Sequence, residues 1–338
     1  MATMVINEQM LSLTRELIDK REVTESTANA YVRNLYILNG KKPFKTLTFL
    51  KNTDGIDEKV GQYADNTQKA IYSAIVSVLS LFKDKSAYKK VYQHYVEKMT
   101  GKRDEVKEKT EASRGKKTEK EEKNWISWEE VSSIRDDLRR SVDEFKNKKT
   151  LDTAQYEVLL KSLVLGLYTF IQPRRNQDYL DMMVVRGEEP ASEEHNYVLL
   201  DKKGIPKQFV FNKYKTSKKY GKQHIDLTPE LADIVTIYLK HHPLLKGKKK
   251  TTEPSPFLVA FDGKPLEAVN SITRLLNKVF GKAVGSSMLR HIYLSSKYDI
   301  KEMTEDAEKM GHSVEEQKAY LRGSSTNEVV VPTLSDAL

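Results

Sequence analysis

The stretch YVLLDKKGIPKQFVFNKYKTSKKYGKQHIDL, residues 197–227, is where the chain changes its period. Tyr197 to Leu200, Gln208 to Phe211 and Gln223 to Leu227 are short runs with aromatic and β-branched side chains, and they read as strands. Gly204-Ile205-Pro206 and Lys218 to Gly221 supply the turn material between them. Directly afterwards Thr228-Pro229 opens a helix, with Thr as N-cap and Pro at the first helical position, where its missing N–H is no loss. Most of the remaining order carries a helical period. The fold class that follows is mainly α with a small antiparallel β-sheet, an α+β chain.

Upstream, Ala28, Tyr31, Val32, Leu35 and Leu38 recur at helical spacing after Thr24, and Asn39-Gly40 supplies a stop. Ile71, Ala74, Ile75, Val78, Leu79 and Phe82 form a wide apolar face after Asn66-Thr67, and a third helix is expected from Ala87 to about Met99. Residues 1–100 are therefore expected to be a helical domain. From Gly101 to Asn124 the chain carries nine basic and seven acidic residues with Val106 and Ala112 as its apolar side chains, which cannot support a core. Residues 101–126 read as a charged linker or an exposed helical extension. Ser127-Trp128-Glu129-Glu130 is a capping box and starts a second domain, 127–338. Its helices are expected near 128–147, 153–171, 266–280, 286–298, 301–310 and 313–322. No internal repeat is visible.

The length, 338 residues, suits two domains that each bury a core without staples. There is no cysteine, which excludes a disulfide scaffold, a thiolate zinc site, an iron–sulfur cluster and cysteine catalysis. The strongest apolar stretches, Ala74 to Phe82 and Leu159 to Ile171, fall short of the roughly 20 residues of a bilayer span. No secretory pattern is seen in Met1 to Arg15, so an intracellular protein is expected. The formal net charge is +9, and residues 201–250, with 13 Lys and no Arg against four acids, account for all of it. One basic surface on an otherwise neutral chain points to a polyanion, since neutralising phosphates releases counterions. A solvated, Lys-rich loop is the plainer reading of the same residues.

Four spots place unusual polar residues beside apolar runs. Gln172-Pro173-Arg174-Arg175-Asn176-Gln177-Asp178-Tyr179 follows an apolar helix, and two arginines there need anionic partners. If the turn is helical, Asp178 can hold Arg175 in an internal salt bridge. Asn212-Lys213-Tyr214-Lys215-Thr216-Ser217-Lys218-Lys219 puts lysines where they contact phosphates or water. Ser286-Ser287-Met288-Leu289-Arg290-His291 opens a helix whose N-terminal end favours an anion, with His291 read as structural. Met310-Gly311-His312-Ser313 sets His312 at a helix junction, and Tyr320 lies further along; one tyrosine among 17 is on its own more often packing than nucleophile.

Taken together and in this order, these spots resemble the tyrosine recombinase, or phage integrase, family. The resemblance rests on Arg-x-x-Asp at 175–178, Lys-Thr at 215–216, Leu-Arg-His at 289–291, and Gly-His-Ser at 311–313 followed by Tyr320. It extends over the whole chain, because the N-terminal bundle with Ser26-Thr27-Ala28-Asn29-Ala30-Tyr31 looks like that family's core-binding domain. The Pro-Arg-Arg-x-x-Asp-Tyr form is similar to members from large DNA viruses and their mobile elements. What the resemblance implies is site-specific recombination or integration of double-stranded DNA. Tyr320 attacks the scissile phosphate to give a 3′-phosphotyrosyl link, Arg175 and Arg290 clamp the nonbridging oxygens, Lys215 protonates the departing 5′-oxygen, and His312 hydrogen-bonds the phosphate. No metal or other cofactor is implied. Lys213, Lys218 and Lys219 are expected DNA contacts, and a homo-tetramer on DNA is implied, with the tail Glu328 to Leu338 as the segment exchanged between neighbours.

Two positions depart from the family pattern. Ser287 stands where the family usually carries His, and the interval from His312 to Tyr320 is one residue shorter than in many bacterial members. A one-residue change rotates a helical side chain by roughly 100°. Arg174 is the rival for the role of Arg175, and Lys213 or Lys218 for that of Lys215. A non-catalytic DNA-binding protein on the same fold, and a metal-dependent nuclease using Asp178 and Asp181, are the alternative functions.

Overall fold

A computed structural model of the chain describes residues 4–113, 116–245 and 254–297. They fall into two compact units that divide between Lys116 and Lys117.

The first unit is built of helices α1 (Glu8–Arg21), α2 (Glu25–Leu38), α3 (Thr53–Gly61), α4 (Asp65–Leu79) and α5 (Ser86–Ala112). Each start has a chemical cause. Asn7 accepts from the Met10 N–H at 2.9 Å and Thr24 from the Thr27 N–H at 3.3 Å, so both starts satisfy a backbone donor that the helix leaves open. The buried face of α2 is Ala28, Val32, Leu35 and Leu38, the spacing read from the sequence. α4 is the centre of the unit and buries seven side chains, from Ile71 to Leu79. The charged stretch from Gly101 to Ala112 is the continuation of α5, a single helix of 27 residues, roughly 40 Å long at 1.5 Å per residue. Of the two readings of that stretch, a helical extension describes these residues. Val106 is its buried member, and Lys102 and Lys109 pair with Asp65 on α4 at 3.4 and 2.5 Å.

The second unit opens with α6 (Glu119–Asn124), α7 (Trp128–Asp143) and α8 (Thr153–Thr169). The capping box expected at Ser127 is present, with Ser127 Oγ accepting from the Glu130 N–H and the Glu130 carboxylate from the Ser127 N–H. Thr118 with Glu121 and Asp152 with Gln155 repeat the arrangement at the starts of α6 and α8. Every residue of α8 from Ser162 to Tyr168 is buried, so its C-terminal half runs through the core of the unit. A short helix α9 (Gln177–Leu180) leads into β1 (Met182–Arg186), followed by β2 (Asn196–Leu200) and β3 (Pro206–Phe211). Next come α10 (Ser217–Tyr220), β4 (Gln223–Asp226), α11 (Pro229–His241), β5 (Ser255–Pro256), α12 (Val269–Phe280) and α13 (Ser286–Lys297).

The strands form one sheet in the order β4-β3-β2-β1-β5. The expectation of an antiparallel sheet needs correction: β1 pairs with β2 in parallel, the other pairs are antiparallel, and the sheet is mixed. Residues 187–195 hold no helix or strand, and nine residues have the reach, at roughly 3.3 Å each, to bring the chain back to the start of β1 so that β2 runs parallel to it. The stretch Lys218 to Gly221, read as turn material, lies largely in the short helix α10 and ends at Gly221, whose φ of +67° suits glycine. The helices expected at 301–310 and 313–322 lie outside the described residues.

Candidate nucleic-acid interface

Arg174 and Arg175 sit between α8 and α9, where Pro173 prevents α8 from continuing. Two buried amides hold this turn. Asn176, 5% exposed, accepts from Tyr168 Oη on α8 at 2.7 Å and donates to Val269 O and Thr273 Oγ1 of α12 at 2.9 and 3.0 Å. Asn196, 1% exposed, opens β2 and donates to Asp178 O at 2.7 Å and Lys213 O at 3.0 Å. Its Oδ1 accepts from the backbone N–H groups of Asn212 and Lys213 at 2.9 and 2.8 Å. The arginine turn is thereby tied to α8, to α12 and to the loop that follows β3.

The two arginines have different environments. Arg174 Nε donates to Asp178 Oδ2 at 3.0 Å and its Nη1 to Gln223 Oε1 at 2.8 Å. Its guanidinium carbon lies 3.8 Å from the centre of the Phe211 ring and 4.9 Å from that of Tyr214. The expected Arg175–Asp178 bridge is therefore corrected: with the turn entering α9, Asp178 faces the residue four positions earlier, not three. Burial pushes the Asp178 carboxyl up, against the pull of Arg174 and Arg175 and of the Arg175 N–H. The Arg175 guanidinium makes no hydrogen bond or ion pair with the described residues.

Arg290 lies one turn into α13. Its Nη2 donates to Ser287 Oγ at 3.2 Å, while its Nε is buried without a partner among the described residues. A guanidinium N–H removed from water in this way costs energy unless an acceptor, such as a phosphate oxygen, completes it. The neighbouring His291 is exposed and meets Glu121 Oε1 of α6 at 2.7 Å. Glu121 is held below the usual carboxylate range, first by hydrogen bonds from the N–H and hydroxyl of Thr118 and then by His291.

Arg174, Arg175 and Arg290 line one cleft of about 570 Å³ together with Tyr214, Thr216, Tyr220 and Gln223. The structure thus brings Arg175 and Arg290, 115 positions apart in the chain, to a common wall. Asp178 also lines the cleft, but Arg174 neutralises it. Lys215 is exposed on the loop between Tyr214 and Thr216, both of which line the cleft. Lys213 and Lys218 are exposed as well, and Lys219 lies over the Tyr220 ring at 5.0 Å. Ser287 is exposed at the start of α13. His312, Tyr320 and the tail Glu328 to Leu338 lie outside the described residues, as do Lys246, Lys248, Lys249 and Lys250 of the basic window.

The sequence reading did not single out Asn196, Tyr168 or Gln223. A signal existed for Asn196, a lone amide at the head of an apolar strand, where an unpaired polar group is costly. Tyr168, inside a run of aliphatic residues, offered none. Among the described residues no group of three or more His, Asp or Glu is placed to hold a metal ion, and no helix is long and apolar enough to cross a membrane. The chain matches no protein-family model, no curated protein and no solved structure.

Proposed function

We propose that this cleft receives a phosphodiester of double-stranded DNA and that the protein is a tyrosine-type DNA strand transferase, a site-specific recombinase or integrase. The reading is carried by one observation: two guanidinium groups from distant segments, neither with an acid partner among the described residues, line the same cleft. Planar forks of this kind match the nonbridging oxygens of a phosphate, and a positive cleft stabilises the charge that builds at a transferring phosphoryl group.

In the proposed reaction the Tyr320 oxygen bonds to phosphorus, and the bond from phosphorus to the 5′-oxygen breaks. The phenolic proton leaves to His312 or water, and Lys215 supplies a proton to the 5′-oxygen. Phosphodiester energy is retained in the protein–DNA link, so rejoining needs no other energy source. A tetramer on DNA, through exchange of the C-terminal tail, belongs to the same proposal. The lysines at 213, 218 and 219 add phosphate contacts beside the cleft.

A nicked duplex that loses its 5′ product after cleavage tests the reading. A denaturing gel and peptide mapping should show a covalent adduct at Tyr320 that Tyr320→Phe abolishes while duplex binding persists. Duplex binding with no adduct would make the protein a DNA-binding factor on this fold instead.

A further inference from the structure

Asn196 is the point at which the two halves of the cleft meet. Strands β2 and β3 pair from Tyr197 with Val210 onward, and their backbone ladder stops there. The Asn196 carboxamide continues it with side-chain bonds to the N–H groups of Asn212 and Lys213 and to the Lys213 carbonyl, and its amide also reaches the Asp178 carbonyl. All of its hydrogen-bonding positions go to backbone on two segments, which the Arg174 side chain also bridges by lying over the Phe211 and Tyr214 rings, so Asn196 supplies the backbone-level part of their register. The far end of the loop is closed by Tyr214, whose hydroxyl donates to Gly221 O at 2.7 Å. Lys215 lies between these two fastenings.

We infer that Asn196 is a positioning residue, one that sets the loop bearing Lys215 against the turn bearing Arg175. This rests on the strand-transfer reading, since it assigns the geometry of the proton donor in that reaction. A lysine on an exposed loop has wide freedom, and delivering its proton to a leaving oxygen requires a fixed approach, where a displacement of about 1 Å costs up to a hundredfold in rate. The four Asn196 bonds remove that freedom at the backbone rather than at the side chain.

The test compares Asn196→Asp and Tyr214→Phe with the wild-type chain on two nicked duplexes, one with the ordinary 5′-oxygen at the scissile bond and one with sulfur in its place. Asn196→Asp keeps the acceptor for Asn212 and Lys213 but loses both donated bonds. Tyr214→Phe loosens the other end of the loop at little risk to folding. A 5′-thiolate departs without a proton, so it dispenses with Lys215. On the oxygen substrate both variants should form adduct about tenfold to a hundredfold more slowly, with DNA affinity little changed. On the sulfur substrate they should return to near the wild-type rate. Equal slowing on both substrates, or no slowing in folded protein, overturns the positioning role. If Asn196→Asp does not fold, Tyr214→Phe decides by the same comparison. A wild-type chain that forms adduct on neither substrate overturns the strand-transfer reading itself, and this inference with it. Arg175→Ala serves as the control that slows both substrates alike.

Discussion

Arg174 Nε donates to Asp178 Oδ2 at 3.0 Å, and the pair is nearly removed from water, with side chains 14% and 4% exposed. Next to it Arg175 carries the same charge with no hydrogen bond or ion pair among the described residues. Adjacent arginines thus divide two tasks: one completes the turn, and one remains available to a ligand.

Arg174→Ala should destabilise the fold by about 3 kcal/mol or more, because it strands a buried carboxylate. Arg175→Ala should change stability by no more than about 0.5 kcal/mol while weakening DNA binding. Urea denaturation of the two variants beside a DNA titration checks both halves. Similar losses of stability would mean that the division between the arginines is wrong.

Arg290→Ala should cost about three decades or more in the rate of adduct formation, judged from the worth of an arginine at a transferring phosphoryl group. Ser287→Ala removes one exposed hydrogen bond to Arg290 and should cost about 1 kcal/mol at most. Ser287→His, which restores the residue usual in the resembled family, should be no slower than the wild type in single-turnover cleavage.

His242 is fully buried, with Nε2 near Pro256 O at 3.0 Å and Phe257 O at 3.2 Å. Burial pulls its pKa down from 6.5 to about 4, against the pull of those carbonyls. The unfolded chain therefore takes up this proton first as pH falls. The stabilisation is complete above about pH 6.5 and is lost between there and about pH 4, a change of about 3 kcal/mol. Denaturation series at pH 7 and pH 4 should show that loss, and His242→Asn should show a flatter pH dependence.

Lys213, Lys215, Lys218 and Lys219 should each carry part of the salt dependence of DNA binding. Replacing any one that contacts a phosphate with Ala should reduce the slope of log affinity against log salt by about 0.9. Titrations at several salt concentrations measure it directly.

Helices with a cap and an apolar period, such as α2, α7 and α11, were legible from the sequence, because cap and stripe are local signals. β1 was not. Its run Met182-Met183-Val184-Val185 lacks alternation, and its pairing with β2 is settled by tertiary packing. The candidate site divides in the same way. Arg175 and Arg290 stand out as charges beside apolar runs, and the cleft joins them. Which of Arg174 and Arg175 takes Asp178 depended on where the chain enters α9, a one-residue matter that spacing does not resolve. Asn196 acts through backbone atoms of segments 18 and 17 residues away, so no local pattern announces it.

The capping box at Ser127 marks a plausible place to cut the chain, yet α6 lies before it and belongs to the second unit. Glu121 grips His291, and Asn124 Oδ1 accepts from the Ala283 N–H at 3.0 Å, so this short acidic helix braces the base of α13. A fragment beginning at residue 127 would discard that brace and leave the Arg290 helix less firmly seated. One beginning at residue 117 retains it, and is the shorter piece worth expressing.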